Sequence, residues 1–221
     1  MKLEVSLRVA LKAADPVIST AYLTLVEKMG YRDKLLALNR LESYSFSISC
    51  ADPAPVVRSL TGFLATQSTF YNRNKHMYFL ECSWEGGRHT EGARVEQLES
   101  LDRQVARWSK LDEPQDLDGQ ATRNRVMLKD VAIYRSEILV EDIDADKKVA
   151  VGRGLETELA TAPVTVAELG VRWYLALRVD SKKEARSVTR EIVVTESRGR
   201  GLLLNPNHQQ YNLLSLREID L

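Results

Sequence analysis

Cysteine is scarce in this chain. Cys50 and Cys82 are the two present among 221 residues, too few for the disulfide framework of a small secreted domain. Both fall in strand-like runs, so buried reduced thiols are expected. Neither sign of charge is in excess: 31 basic and 31 acidic residues balance. That excludes a global field that would recruit nucleic acid or an anionic membrane. Long apolar runs are missing as well, and none approaches the ~20 residues of a membrane span. The N-terminal Met1-Lys2-Leu3-Glu4-Val5 alternates at once and lacks the apolar core of a signal peptide. The expectation is a soluble cytoplasmic protein that binds neither membrane nor nucleic acid.

Motifs that carry chemistry are also few. There is no CxxC, no Walker pattern and no Gly-x-Gly-x-x-Gly after a strand. The three histidines, His76, His89 and His208, do not have the closed spacing of a zinc site, which needs three or four ligands. No metal and no cofactor are expected. The acidic stretch from Glu137 to Asp146 lacks the glycine and closing Glu of an EF-hand loop, so it reads as a solvated strand-to-helix connection. Tyr71, Tyr78, Trp84, Trp173 and Tyr174 are not set in a ribonucleoprotein motif, and core packing accounts for them. Arg198-Gly199-Arg200-Gly201 is the candidate anion-binding loop. Glycines let the backbone approach an oxyanion, and Arg198 and Arg200 would pair with it. The plain alternative is a loop that ends a helix.

What the chain does contain is a repeat. One copy reads Leu64-Ala65-Thr66 through Asn72-Arg73-Asn74-Lys75-His76-Met77-Tyr78. The other reads Leu202-Leu203-Leu204-Asn205-Pro206-Asn207-His208-Gln209-Gln210-Tyr211. Each has Asn-x-Asn and then a Tyr six residues after the first Asn. Asn72, Asn74 and His76, with Asn205, Asn207 and His208, are the candidate site residues. Asn hydrogen-bonds its own backbone and tolerates left-handed conformations, so turn stabilisation is the simplest role. Contact with a partner is the alternative.

The flanking elements repeat too. Leu3, Val5, Leu7 and Val9 alternate with polar residues, as a strand with one buried face does. Asp15-Pro16 opens a helix and Gly30 closes it. Lys34–Arg40 and Ser43–Cys50 read as two strands joined at Leu41-Glu42. A helix from Pro53 carries Val56, Val57, Leu60 and Leu64 on one face, and a strand over Met77–Trp84 follows the first corner. In the second half, a strand over Ser136–Ile143 leads to a helix over Asp146–Ala160. A hairpin over Val164–Val179 turns near Gly170, Ser181 caps another helix, and a strand over Tyr211–Leu216 ends the unit. Both halves then follow βαββαβ, the ferredoxin-like pattern. The predicted class is α+β, with one unit at 1–84 and a second at 134–221 packed as a pseudo-dimer, each a sheet with helices on one face. Residues 85–133 form a linker with a docking helix over 93–110, striped by Val95, Leu98, Leu101, Val105 and Trp108.

In its ordered motifs the first unit resembles the small subunit (PurS) of phosphoribosylformylglycinamidine synthase. The features are the strand before Asp15-Pro16, the helix ending Met29-Gly30-Tyr31, the segment Leu38 to Ile48, and the corner from Asn72 to Tyr78. Leu202-Leu203-Leu204-Asn205-Pro206 through Tyr211 is closer still to that family's corner, and Glu168 to Tyr174 resembles its hairpin. The resemblance covers about 80 residues of each half. It departs from the family in its tandem arrangement, in the missing Asp-Pro start of the second unit, and at Asn74-Lys75-His76 and Asn207-His208-Gln209, where the family has acidic residues. It implies a non-catalytic subunit that links a glutaminase and an ATP-dependent synthetase in purine biosynthesis, the ligase activity belonging to the assembled complex. A homo-oligomer is expected. The competing expectations are a small-molecule or anion-binding protein, or an enzyme, using a cleft between the units, with Arg198, Arg200 and His208 lining it, and a ferredoxin-like oligomeric scaffold without a purine role.

Overall fold

A computed structural model describes residues 1–66, 70, 72, 74–93, 132–159, 163–195 and 201–219. In chain order the elements are β1 (Lys2–Leu11), α1 (Pro16–Leu23, continued by a wide turn over Thr24–Lys28), β2 (Leu35–Ser49), α2 (Pro53–Thr66), β3 (His76–Trp84), β4 (Gly87–Gly92), β5 (Ala132–Asp142), α3 (Ala145–Leu159), β6 (Val164–Val179), α4 (Lys182–Val193) and β7 (Gln209–Ile219). The strands form one antiparallel sheet in the order β4-β3-β1-β2-β6-β5-β7. The class is α+β, as expected.

Local signals set the helix ends. Asp15 caps α1 by accepting the Val17 N–H at 2.8 Å, and Pro16 sits where a helix lacks a donor partner anyway. Gly30 closes the following turn at φ +80°, a conformation that costs glycine nothing. Asp52 accepts the Ala54 N–H at the start of α2, and Ser181 accepts the Glu184 N–H at the start of α4.

Two expected joints are not turns. β2 runs unbroken through Leu41-Glu42, and β6 runs unbroken through Gly170. At 15 and 16 residues, both far exceed the usual strand of about 5–6. Leu41 and Glu42 have none of the turn chemistry of Gly, Asn or Pro, and Leu41 is buried. Gly170 serves close approach instead of a turn. A Cβ there would lie 2.2 Å from the Val140 carbonyl oxygen of the neighbouring strand.

The long strands change how the halves meet. In place of two separate sheets there is a single one, joined where β2 from Leu35 to Ile48 pairs with β6 from Val164 to Leu177. Only the second half of β2, Glu42 to Ser49, pairs with β1. Only the second half of β6, from Gly170 on, pairs with β5. Each first half therefore extends beside the strands of the other half of the chain.

Helices cross over in the same way. One core cluster joins Ala21 and Leu25 from the α1 region to Ile138 of β5, Leu175 and Leu177 of β6, and Val188 and Ile192 of α4. The other joins Val5 and Leu7 of β1, Phe46 of β2, Leu60 of α2 and Leu80 of β3 to Leu155 and Leu159 of α3. Lys34 reinforces the exchange with an ion pair to Glu184 at 2.9 Å. Neither half of the chain builds its core alone.

The boundary expected at Trp84 also moves. Glu85-Gly86 is a hairpin turn, and β4 extends the sheet to Gly92. The helix expected over 93–110 lies outside the described residues beyond Ala93. No helix among the described residues is long and apolar enough to cross a membrane.

Candidate functional site

The two Asn-x-Asn corners fold alike. At the first, the Asn74 N–H donates to Asn72 Oδ1 at 2.9 Å, and the Lys75 and His76 amides donate to the Asn72 carbonyl at 2.9 and 2.7 Å. At the second, the Asn207 N–H donates to Asn205 Oδ1 at 3.1 Å, and the His208 and Gln209 amides donate to the Asn205 carbonyl at 3.1 and 2.8 Å. The side chain of the first Asn thus mimics a backbone acceptor and tightens the turn. Tyr78 and Tyr211 then enter β3 and β7.

Position by position, His76 corresponds to Gln209 and not to His208. The Asn72 N–H donates to His76 Nδ1 at 2.9 Å, and the Asn205 N–H donates to Gln209 Oε1 at 3.1 Å. Counting back from each strand start would have revealed that alignment in the sequence. Asn72, Asn74, Asn205, Asn207 and His208 are all exposed, while His76 is half-buried.

Alternation of direction along the sheet sets where the corners point. β3 and β7 are separated by β1, β2, β6 and β5, and every neighbour is antiparallel. β3 and β7 therefore run in opposite directions, and their leading corners lie at opposite ends of the sheet. Five strand spacings of ~4.8 Å put the two strands about 24 Å apart across it.

A polar network occupies the sheet face opposite the helices. Arg172 Nη1 donates to Glu137 Oε1 at 2.8 Å, Arg172 Nη2 to Glu168 Oε2 at 2.6 Å, and Arg172 Nε to Ser43 Oγ at 3.0 Å. Ser215 Oγ donates to Glu137 Oε2 at 3.3 Å. This links β2, β6, β5 and β7, and sequence reasoning missed it because the partners are 35 and 129 residues apart. Nearby, the Arg135 guanidinium lies 5.1 Å from the Tyr174 ring centroid. Such a network fixes strand register, since each donor of the fork has a set partner.

The acidic stretch after β5 is held by lysines. Asp142 pairs with Lys147, and Glu141 pairs with Lys148 at 2.9 Å. The hydrogen bond from Lys147 keeps the Asp142 carboxyl below the usual range. Asp144 accepts the Asp146 N–H at 2.9 Å and so caps α3. Among the described residues no group of three or more His, Cys, Asp or Glu side chains is placed to hold a metal ion.

Cys82 is fully buried, and Cys50 is half-buried. Burial pushes the Cys82 thiol up to about 12, because the low dielectric penalises the thiolate. Arg198 and Arg200, the candidate anion-binding pair, lie outside the described residues. The two halves of the chain are joined along a hydrogen-bonded ladder of β2 and β6. No family model matches the chain, and no curated protein or solved structure matches it.

Proposed function

We propose that this protein is a non-catalytic bridging subunit, a covalent pair of PurS-like units that links glutaminase and synthetase subunits in a phosphoribosylformylglycinamidine synthase-like complex. The observation that carries the reading is the pair of matched corners, presented at opposite ends of one sheet. A bridge needs two docking points held at a fixed separation, and a single sheet provides that without a flexible joint. Fusing the units also replaces a bimolecular association with an intramolecular one.

The pairing pattern supports ferredoxin-like units of an exchanged kind. β3, β1, the second half of β2 and the first half of β6 stand in the order expected for strands four, one, three and two of the βαββαβ pattern, with α2 and α3 against them. β7, β5, the second half of β6 and the first half of β2 repeat that order, with α4 and α1. In this reading each ferredoxin-like unit borrows one helix and one strand from the other half of the chain.

The test is reconstitution. The purified chain is mixed with the synthetase and glutaminase subunits of its own organism, and the mixture is sized by light scattering. A ternary species is expected. Asn74→Ala with Asn207→Ala should abolish it while leaving circular dichroism unchanged, because both side chains are exposed and the turn acceptors are Asn72 and Asn205. Independent elution of all three proteins would refute the bridging role.

A further inference from the structure

We infer that β7 is a self-association edge, along which a second copy of this chain adds its own β7 antiparallel to form a two-fold dimer with one continuous sheet. The edges of this sheet differ in how they are covered. An unpaired strand edge offers a row of backbone donors and acceptors, and proteins that stay monomeric cover or blunt it.

Three edges here are covered or blunted. The first half of β6 is capped by side chains: Glu156 Oε1 accepts the Val164 N–H at 2.7 Å, Lys148 Nζ donates to the Ala167 carbonyl at 2.7 Å, and Glu141 Oε1 accepts the Leu169 N–H at 3.1 Å. The first half of β2 has the Tyr22 hydroxyl against the Leu35 and Leu36 carbonyls. β4 is six residues long, begins and ends with glycine and carries Arg88, His89 and Glu91.

Among the described residues β7 has no such side-chain cap, and its charges, Arg217 and Glu218, stand near its end. It spans 11 residues, and Gln209 to Leu216 contains no charge. Gln210, Asn212 and Leu214 are exposed, Leu214 at 40%. Among the described residues no side chain caps its outer backbone. The one irregularity is an extra residue at Leu214, where Leu213 and Ser215 oppose successive residues of β5. It leaves Gln209–Leu213 as the regular stretch.

The matched edge in the other half shows what this position accepts. β3, the counterpart of β7, takes β4 as an antiparallel partner from Phe79 to Trp84. Among the described residues β7 has no such strand from its own chain. A second copy fits because the strand is self-complementary. Any antiparallel self-register centred between Gln209 and Leu216 sets no charge against a like charge, since Arg217 and Glu218 each meet neutral residues or fall beyond the pairing. This inference stands apart from the purine reading and concerns the chain alone.

Light scattering of the purified full chain, from about 1 to 100 µM, tests it. The expected result is a species of twice the chain mass. Leu214→Lys with Gln210→Lys should return it to one chain mass with unchanged circular dichroism, because lysines on an edge oppose pairing. As a second measurement, hydrogen exchange of the outward-facing amides between Gln210 and Leu213, those not bonded to β5, should speed up at least tenfold on dilution to the monomer. A monomer throughout the range overturns the inference. So does a dimer that survives both lysines, or a dimer whose dilution leaves those amides unchanged.

Discussion

Asn72 donates its backbone N–H to His76 Nδ1, and the second corner makes the same bond with a glutamine amide oxygen at Gln209. One geometry is thus satisfied by two chemistries within a single chain. The internal repeat predicts which substitutions the first corner tolerates. His76→Gln should change stability by less than about 0.5 kcal/mol, whereas His76→Ala should cost about 1 kcal/mol, the net worth of one hydrogen bond. Chemical denaturation of the two variants checks this.

Gly170 and Gly154 should respond to alanine in opposite directions. Gly170→Ala drives a Cβ into the Val140 carbonyl, so β5 must shift from β6 at a cost of about 2–3 kcal/mol. Gly154 lies in α3 with nothing within 4 Å of a built Cβ. Alanine there should stabilise the protein by about 0.5–1 kcal/mol through helix propensity. Thermal melts of both variants decide the point.

Arg172 is the hub of the network on the face opposite the helices, and its side chain is 12% exposed. Removing it leaves Glu137 and Glu168 facing each other with little solvent. Arg172→Ala should therefore cost about 3 kcal/mol. Glu168→Gln in the Arg172→Ala background should recover part of that loss. A double-mutant cycle with zero coupling would refute a role for the pair.

Cys82 gives stability an alkaline limit. Its folded value, about 12, lies above the ordinary thiol range of about 8.5–9. The unfolded chain thus loses its proton first as pH rises. The contribution is complete below about pH 8.5 and is lost progressively toward pH 12. Cys82→Ala should flatten that alkaline limb. In the native protein Cys82 should resist iodoacetamide at pH 8, with mass spectrometry of the digested protein as the readout.

Asp142 acts at the other end of the pH scale. Its depressed value means the folded state holds the carboxylate more tightly than the unfolded one. Its contribution is present above the ordinary value and lost as pH falls below about 4. Asp142→Asn should weaken the acid dependence in melts between about pH 2 and 5, by a small amount because the Lys147 pair is largely exposed.

The amino-acid sequence determined the local parts. Asp15-Pro16, Gly30 and Ser181 mark ends that the structure places where backbone chemistry requires them. The Asn-x-Asn turns follow from side chains that supply their own acceptor. The alternation in Trp173, Leu175, Leu177 and Val179 fixed a buried face before any partner was known. Only the tertiary structure decided which half of the chain those faces serve. A closed hairpin at Leu41-Glu42 and an extended strand through it bury nearly the same side chains and make nearly the same ladder bonds. Burial and ladder bonds therefore discriminate poorly between them, and the lack of turn residues at Leu41-Glu42 is the local signal against the hairpin. The choice is made by non-local pairing, in which β2 and β6 each supply the neighbour that the other would otherwise have folded back to find.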